Sequence, residues 1–147
     1  MKKLLSIPIL LIASFVWAGD RPTGPSPHGS MTKPADVADV KVAKASGPNA
    51  KTVAEIITQA ADLKDKPVLV RGKVVKYNSG IMGKNWIHLR DGSGSAAAGT
   101  NDVLVTSLNE VKVGDVVTAK GIVRTDKDFG AGYLYKVIVE EATFETK

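Results

Sequence analysis

Two hydrophobic periods organise the chain from Thr52 onward. In TVAEIITQAADL the apolar residues Val53, Ile56, Ile57, Ala60 and Leu63 fall three and four apart, the spacing of one helical face. Thr52 stands at the N-cap with Glu55 three residues later, a capping box. Lys66-Pro67 ends the segment, because the residue before a proline is pushed out of the helical region. From Pro67 the period becomes two. PVLVRGKVVKYN is a valine-rich strand with Gly72 in its middle, where a glycine marks a bulge or bend. WIHLRD is a second strand after the glycine-containing loop NSGIMGKN, and NDVLVTS a third after GSGSAAAGT. VKVGDVVTAKGIVRTD supplies a turn at Val113-Gly114-Asp115 and a fourth strand with Gly121 inside it; LYKVIVEEATFET, after KDFGAGY, is the fifth. Alternation assigns Val70, Val74, Ile87, Leu89, Val103, Val105, Val117, Val123, Val137 and Val139 to the interior.

One helix followed by five strands, two of them long and bent at a glycine, predicts an all-β domain with one N-terminal helix: a five-stranded Greek-key barrel of the OB type. Such a barrel ordinarily carries a helix between its third and fourth strands. Here only SLNEVKVG lies there, so the N-terminal helix is expected to cover the barrel end instead. A small open β-sandwich would accommodate the same strands.

The N-terminal third lacks both periods. MKKLLSIPILLIASFVWAGD opens with Lys2 and Lys3, runs apolar from Leu4 to Trp17 and ends in small residues around Ala18, the layout of a Sec-type signal peptide over residues 1–18. The apolar run is shorter than the roughly 18–20 residues of a retained span, and Gly19 stands where a lipoprotein would need cysteine. Residues 19–50 hold five prolines, many small polar residues and no aromatic side chain, which predicts a disordered arm. The OB-fold domain is then expected over residues 51–147. No second long apolar stretch follows, so no membrane span is expected after signal removal, and the expected location is periplasmic or secreted.

Charge and cysteine content narrow the chemistry. The formal net charge is +5, lowered by two if Lys2 and Lys3 leave with the signal. That permits an anionic partner without announcing one. With no cysteine there is no disulfide framework, no thiolate metal site and no C-x-x-C-H haem attachment. His28 and Met31 in the arm offer imidazole and thioether to a soft copper ion, but two ligands make a weak site, and neither a metal nor another cofactor is expected.

The succession VRGKVVKYNSGIMGKNWIHLRDGSG, NDVLVTS, VKVGDVVTAKGIV and TDKDFGAGYLYKVIVEEA resembles small exported OB-fold proteins of Gram-negative bacteria, labelled nucleic-acid-binding or NrfJ-like, nitrite-reductase-associated proteins. The likeness spans roughly residues 52–142 and is carried mainly by the pairing of GIMGKNWIHL with DKDFGAGY. Such proteins often carry a His-, Gly- and Met-rich stretch after the signal, reduced here to His28 and Met31. The resemblance implies a non-enzymatic periplasmic or envelope protein and leaves its ligand open.

In OB folds the ligand face is built on strands 2 and 3, flanked by the loops between strands 1 and 2 and between 4 and 5. That gives GIMGKN and KDFGAGY a common address. With Ile87 and Leu89 inward, Trp86, His88 and Arg90 point to the opposite face, and Arg71 and Lys73 share it. The candidate ligand-binding residues are Tyr77, Lys84, Trp86, His88, Arg90, Lys127, Phe129 and Tyr133. Aromatics beside cations suit stacking on bases or sugars together with pairing to phosphate. The same residues also fit a packing role, with Trp86 in the rim and Met82 and Phe129 plugging the barrel mouth. The partner would be single-stranded nucleic acid or an acidic oligosaccharide, or else an envelope protein of redox or respiratory machinery docked on the same face. Asp91-Gly92-Ser93-Gly94 reads as a turn. An enzyme is not expected: no carboxylate pair is spaced for hydrolysis, no serine sits on a strand-to-helix elbow, and G-I-M-G-K leads into a strand, not the helix of a phosphate loop.

Overall fold

The first strand runs further than the glycines of NSGIMGKN suggest. In the computed structural model, which describes residues 40–146, β1 spans Pro67–Ile81 and β2 spans Lys84–Arg90. Met82 and Gly83 alone connect them, with Ile81 paired to Lys84. Both have positive φ, 51° and 73°, the two-residue turn whose twist matches that of its strands. The expected loop is therefore mostly hairpin. β3 covers Val103–Ser107, β4 Val116–Asp128 and β5 Leu134–Thr146.

The strands close into a barrel in the order β1-β2-β3-β5-β4. β3 and β5 run parallel and the other neighbouring pairs antiparallel. The fold is an OB-like all-β one, and closure through the β1–β4 ladder excludes the open sandwich. Every interior residue expected from alternation is buried except Val137, which packs against the core half-buried. Gly121 sits where β4 must bend around β5: a Cβ there would meet the Val139 side chain at 2.7 Å and the Glu140 carbonyl at 2.8 Å. The pairing slips one residue at this point, between Lys120 and Ile122.

The helical segment breaks in two, α1 over Val53–Thr58 and α2 over Ala60–Leu63. The capping box at Thr52 and Glu55 is formed. Thr58 donates its hydroxyl to the Ala54 carbonyl, a back-bond that bends helices, one residue before the break. Val53, Ile56 and Leu63 join the barrel core. The turn at Asp91-Gly92-Ser93 anchors α1: Val53 N–H donates to Asp91 Oδ2 and Ala54 N–H to Ser93 Oγ, each at 2.9 Å.

Residues 40–50, which the composition assigns to the arm, run along the barrel. Val42 N–H donates to the Asp91 carbonyl and Leu69 N–H to the Asn49 carbonyl. Val40 is buried, and Lys44 pairs with Glu55 at 2.8 Å. The composition rule fails here because backbone hydrogen bonds need no large side chains. The signal peptide, the rest of the arm with His28 and Met31, and Lys147 lie outside the described residues.

Candidate ligand-binding face

Cross-strand partners in an antiparallel ladder share a face, so register sorts the candidate residues. Lys73 lies opposite Arg90, Lys76 opposite His88 and Asn78 opposite Trp86, while Val74 lies opposite Leu89 and Tyr77 opposite Ile87. The first set is the outer face of the barrel and the second its interior. One extra residue, Val75, lets the pattern slip between Val74 and Lys76. Tyr77 is thereby separated from the other candidates: it packs against the main core, because the slip reverses the simple alternation that would place it outside.

Lys84, Trp86, Lys127, Phe129 and Tyr133 do come together. The Trp86 ring contacts Phe129 edge-on, centroids 5.1 Å apart, with Tyr135 at 5.5 Å and Tyr133 at 6.5 Å. Its Nε1–H donates to the Ile81 carbonyl at 2.7 Å. Leu104 and Ile138 complete a second apolar cluster beneath it, and Trp86 retains 4% of its exposure. The outward direction expected for Trp86 is right, but the β4–β5 turn folds over it. Its ring has no open face on which a base could stack. Lys84 and Lys127 flank Phe129, with ammonium groups 5.7 and 5.4 Å from its centroid, a cation–π arrangement. Both also reach Glu140, at 3.4 Å each, with Arg124 at 3.8 Å; the Glu140 side chain is 5% exposed. A buried carboxylate is tolerated when compensated by charge and hydrogen bonds, and here three cations surround it. Burial raises the Tyr135 hydroxyl above its ordinary value, and neighbouring Tyr133 adds to the effect.

His88 and Arg90 form a separate, half-exposed group around Asp102. His88 Nδ1 lies 2.6 Å from one carboxylate oxygen and Arg90 Nε donates to the other at 3.0 Å. Burial alone would raise the Asp102 carboxyl; the hydrogen bond and charge of His88, then those of Arg90, outweigh it and hold the group below its ordinary value. Sequence reasoning passes over Asp102 and Glu140, though alternation gives access to both. Asp102 stands two before outward Leu104, and Glu140 two after outward Ile138. Among the described residues no group of three His, Asp or Glu side chains is placed to hold a metal ion.

No family model matches this chain, and no curated protein does. Among solved structures it is similar to a protein assigned as an aspartyl-tRNA synthetase from Leishmania major Friedlin, at 15% identity and a TM-score of 0.47. The match covers 73% of this chain and 23% of that one. A likeness this slight assigns neither ligand nor activity.

Proposed function

We propose that this is an exported, non-catalytic OB-like binding module whose ligand is an anionic oligomer, single-stranded nucleic acid first, held by its phosphates and not by base stacking. Export follows from the signal-like first 18 residues, and an envelope role from the resemblance to NrfJ-like proteins. One observation supports the ligand class: register aligns Arg71, Lys73, Lys76, His88 and Arg90 as a strip on the outer face of β1 and β2. The Asp102 carboxylate is the counter-charge paired within it. With Trp86 covered, charge is what the strip offers a ligand.

Fluorescence anisotropy with a labelled single-stranded oligonucleotide across a salt series tests this. Affinity should fall steeply with salt, and Lys73→Ala with Lys76→Ala should flatten the log–log slope by up to about 1.4, given roughly 0.7 per phosphate contact on a single strand. Asp102→Asn should act in the opposite direction, tightening binding. No salt-dependent binding to the oligonucleotide, with binding to an acidic oligosaccharide instead, would move the ligand to the second class. Docking of an envelope protein is favoured by one feature, Leu108. It is 82% exposed beside a cavity of about 520 Å³ that Lys84, Thr106 and Ala142 also line.

A further inference from the structure

The turn that anchors α1 has a second side. On it lies a cavity of about 260 Å³ whose lining includes Lys41, Arg90, Gly92, Ser93, Gly94 and Ser95. Two cations reach it from independent elements: Arg90 from the end of β2 and Lys41 from the N-terminal segment. Arg90 commits its Nε–H to Asp102, which leaves the other donors of its guanidinium fork. Lys41 has no ion-pair partner among the described residues. Among the described residues, the two carboxylates nearby are already engaged, Asp91 by Val53 N–H and by Ser93, Asp102 by His88 and Arg90. Gly92 and Gly94 have φ of 88° and 70°, and neither N–H is hydrogen-bonded among the described residues. Two cations beside a small cavity, on a turn with two backbone N–H groups that have no partner among the described residues, form an environment for a compact anion.

The position of this cavity says which anion. Arg90 is also the last cation of the strip on β2, opposite Lys73. Just beyond it the chain crosses from Asp91, where Val42 N–H donates to its carbonyl, to Arg71, whose guanidinium lies 3.5 Å from the Ala43 carbonyl. Gly92 packs so closely under Val40 that a Cβ would strike the Val40 carbonyl. The strip therefore ends against a wall of backbone, and an oligomer lying along it reaches the cavity with a terminus. A terminal phosphate monoester carries a charge of about −1.5 to −2 and three acceptor oxygens, against the single charge of an internal diester.

We propose that the cavity between Lys41, Arg90 and the Gly92–Ser95 turn binds the terminal phosphate of the anionic chain held on the strip, which makes the module a reader of phosphorylated ends. This rests on the proposed function for the strip, but the cavity can be probed by itself. Inorganic phosphate added to the full chain should shift the backbone amide resonances of Gly92 and Gly94. Oligonucleotides of one sequence, ending in either hydroxyl or phosphate at the 5′ or 3′ end, should then differ in anisotropy titrations. One terminal phosphate should tighten binding by about tenfold or more, the scale of a hydrogen bond to a charged group. Lys41→Ala should collapse that difference, and Lys41→Arg should retain most of it. Lys41 is exposed, so these variants should melt like the parent.

Equal affinity for phosphorylated and unphosphorylated ends, with salt dependence intact, would overturn the terminal-phosphate site and leave the proposed function standing. Phosphate shifts at Gly92 and Gly94 without salt-dependent oligonucleotide binding would overturn the end-reading assignment through failure of the strip. Unmoved Gly92 and Gly94 resonances would overturn the cavity as an anion site.

Discussion

Trp86→Ala separates a packing role from a ligand role. The indole is almost fully buried between Phe129, Tyr135, Leu104 and Ile138. An aromatic side chain of this kind buries on the order of 200 Å², which at about 25 cal/mol per Å² corresponds to about 5 kcal/mol. The range observed for Phe or Trp truncation in cores, about 3–5 kcal/mol, is the firmer figure. Losing the Nε1–H bond adds little, because Ile81 is exposed and water can take its carbonyl. Against a typical total of about 5–15 kcal/mol, the variant should be severely destabilised. Urea denaturation followed by circular dichroism is the assay, since the reporting indole is gone, and Trp86→Phe should recover much of the loss. A variant less than about 1 kcal/mol weaker that had also lost oligonucleotide binding would refute the reasoning. The β4–β5 turn would then stand open in solution and Trp86 would be a stacking residue.

A chain beginning at Lys51 should be about 1–3 kcal/mol less stable than one beginning at Asp39, through two lost backbone hydrogen bonds and the burial of Val40; identical melting curves would mean that residues 40–50 only rest on the barrel. Gly121→Val should cost more than about 2 kcal/mol in chemical denaturation, as overpacking against backbone does, and a neutral result would contradict the close approach of β5. The Lys44 ammonium, then the Thr52 N–H, hold the Glu55 carboxyl at about 2 against an ordinary 4.5. A folded value below the unfolded one means the contribution is complete above about pH 4.5 and lost as pH falls toward about 2. Lys44→Ala should shrink that acid loss while costing under about 1 kcal/mol at neutral pH, as exposed pairs do; an unchanged acid limb in thermal melts would rule the pair out.

The interior is legible because a strand with one buried face writes its pattern into alternate residues: Val70, Ile87, Leu89 and Val105 need nothing else. Gly121 declares its bend for a similar reason, since a strand that keeps apolar side chains along its buried face, Val117, Ala119 and Val123, gives one position up to glycine where a side chain would not fit. The surface is harder. Val75 looks like its neighbours, and nothing local reveals that it is the extra residue which sends Tyr77 inward. For Trp86 alternation gives the right direction and the wrong exposure, because what covers it arrives from Phe129 and Tyr135, more than forty positions later. Asp102 and Glu140 escape a search that follows cations and aromatics, although each organises two or more of them. Residues 40–50 hide their order for a different reason: they bind largely through backbone, which composition does not register.

Ring closure has a consequence for how the chain reaches this state. The β1–β2 hairpin, with two residues in its turn, and the β4–β5 hairpin are local and form on the scale of about 1–10 μs. The ladders that join them are not: Lys73 must find Val116, and Val105 must find Val139 in parallel, each across dozens of residues. Loop-closure entropy is spent before those contacts return anything, which places such topologies toward the millisecond-to-second end of folding. Until the parallel ladder forms, β3 is exposed along one edge. It is Val-Leu-Val-Thr-Ser, uncharged, and all five residues are buried in the finished barrel. During refolding that segment is the adhesive one, and the yield of native protein should depend on concentration even where the folded domain is monomeric and soluble.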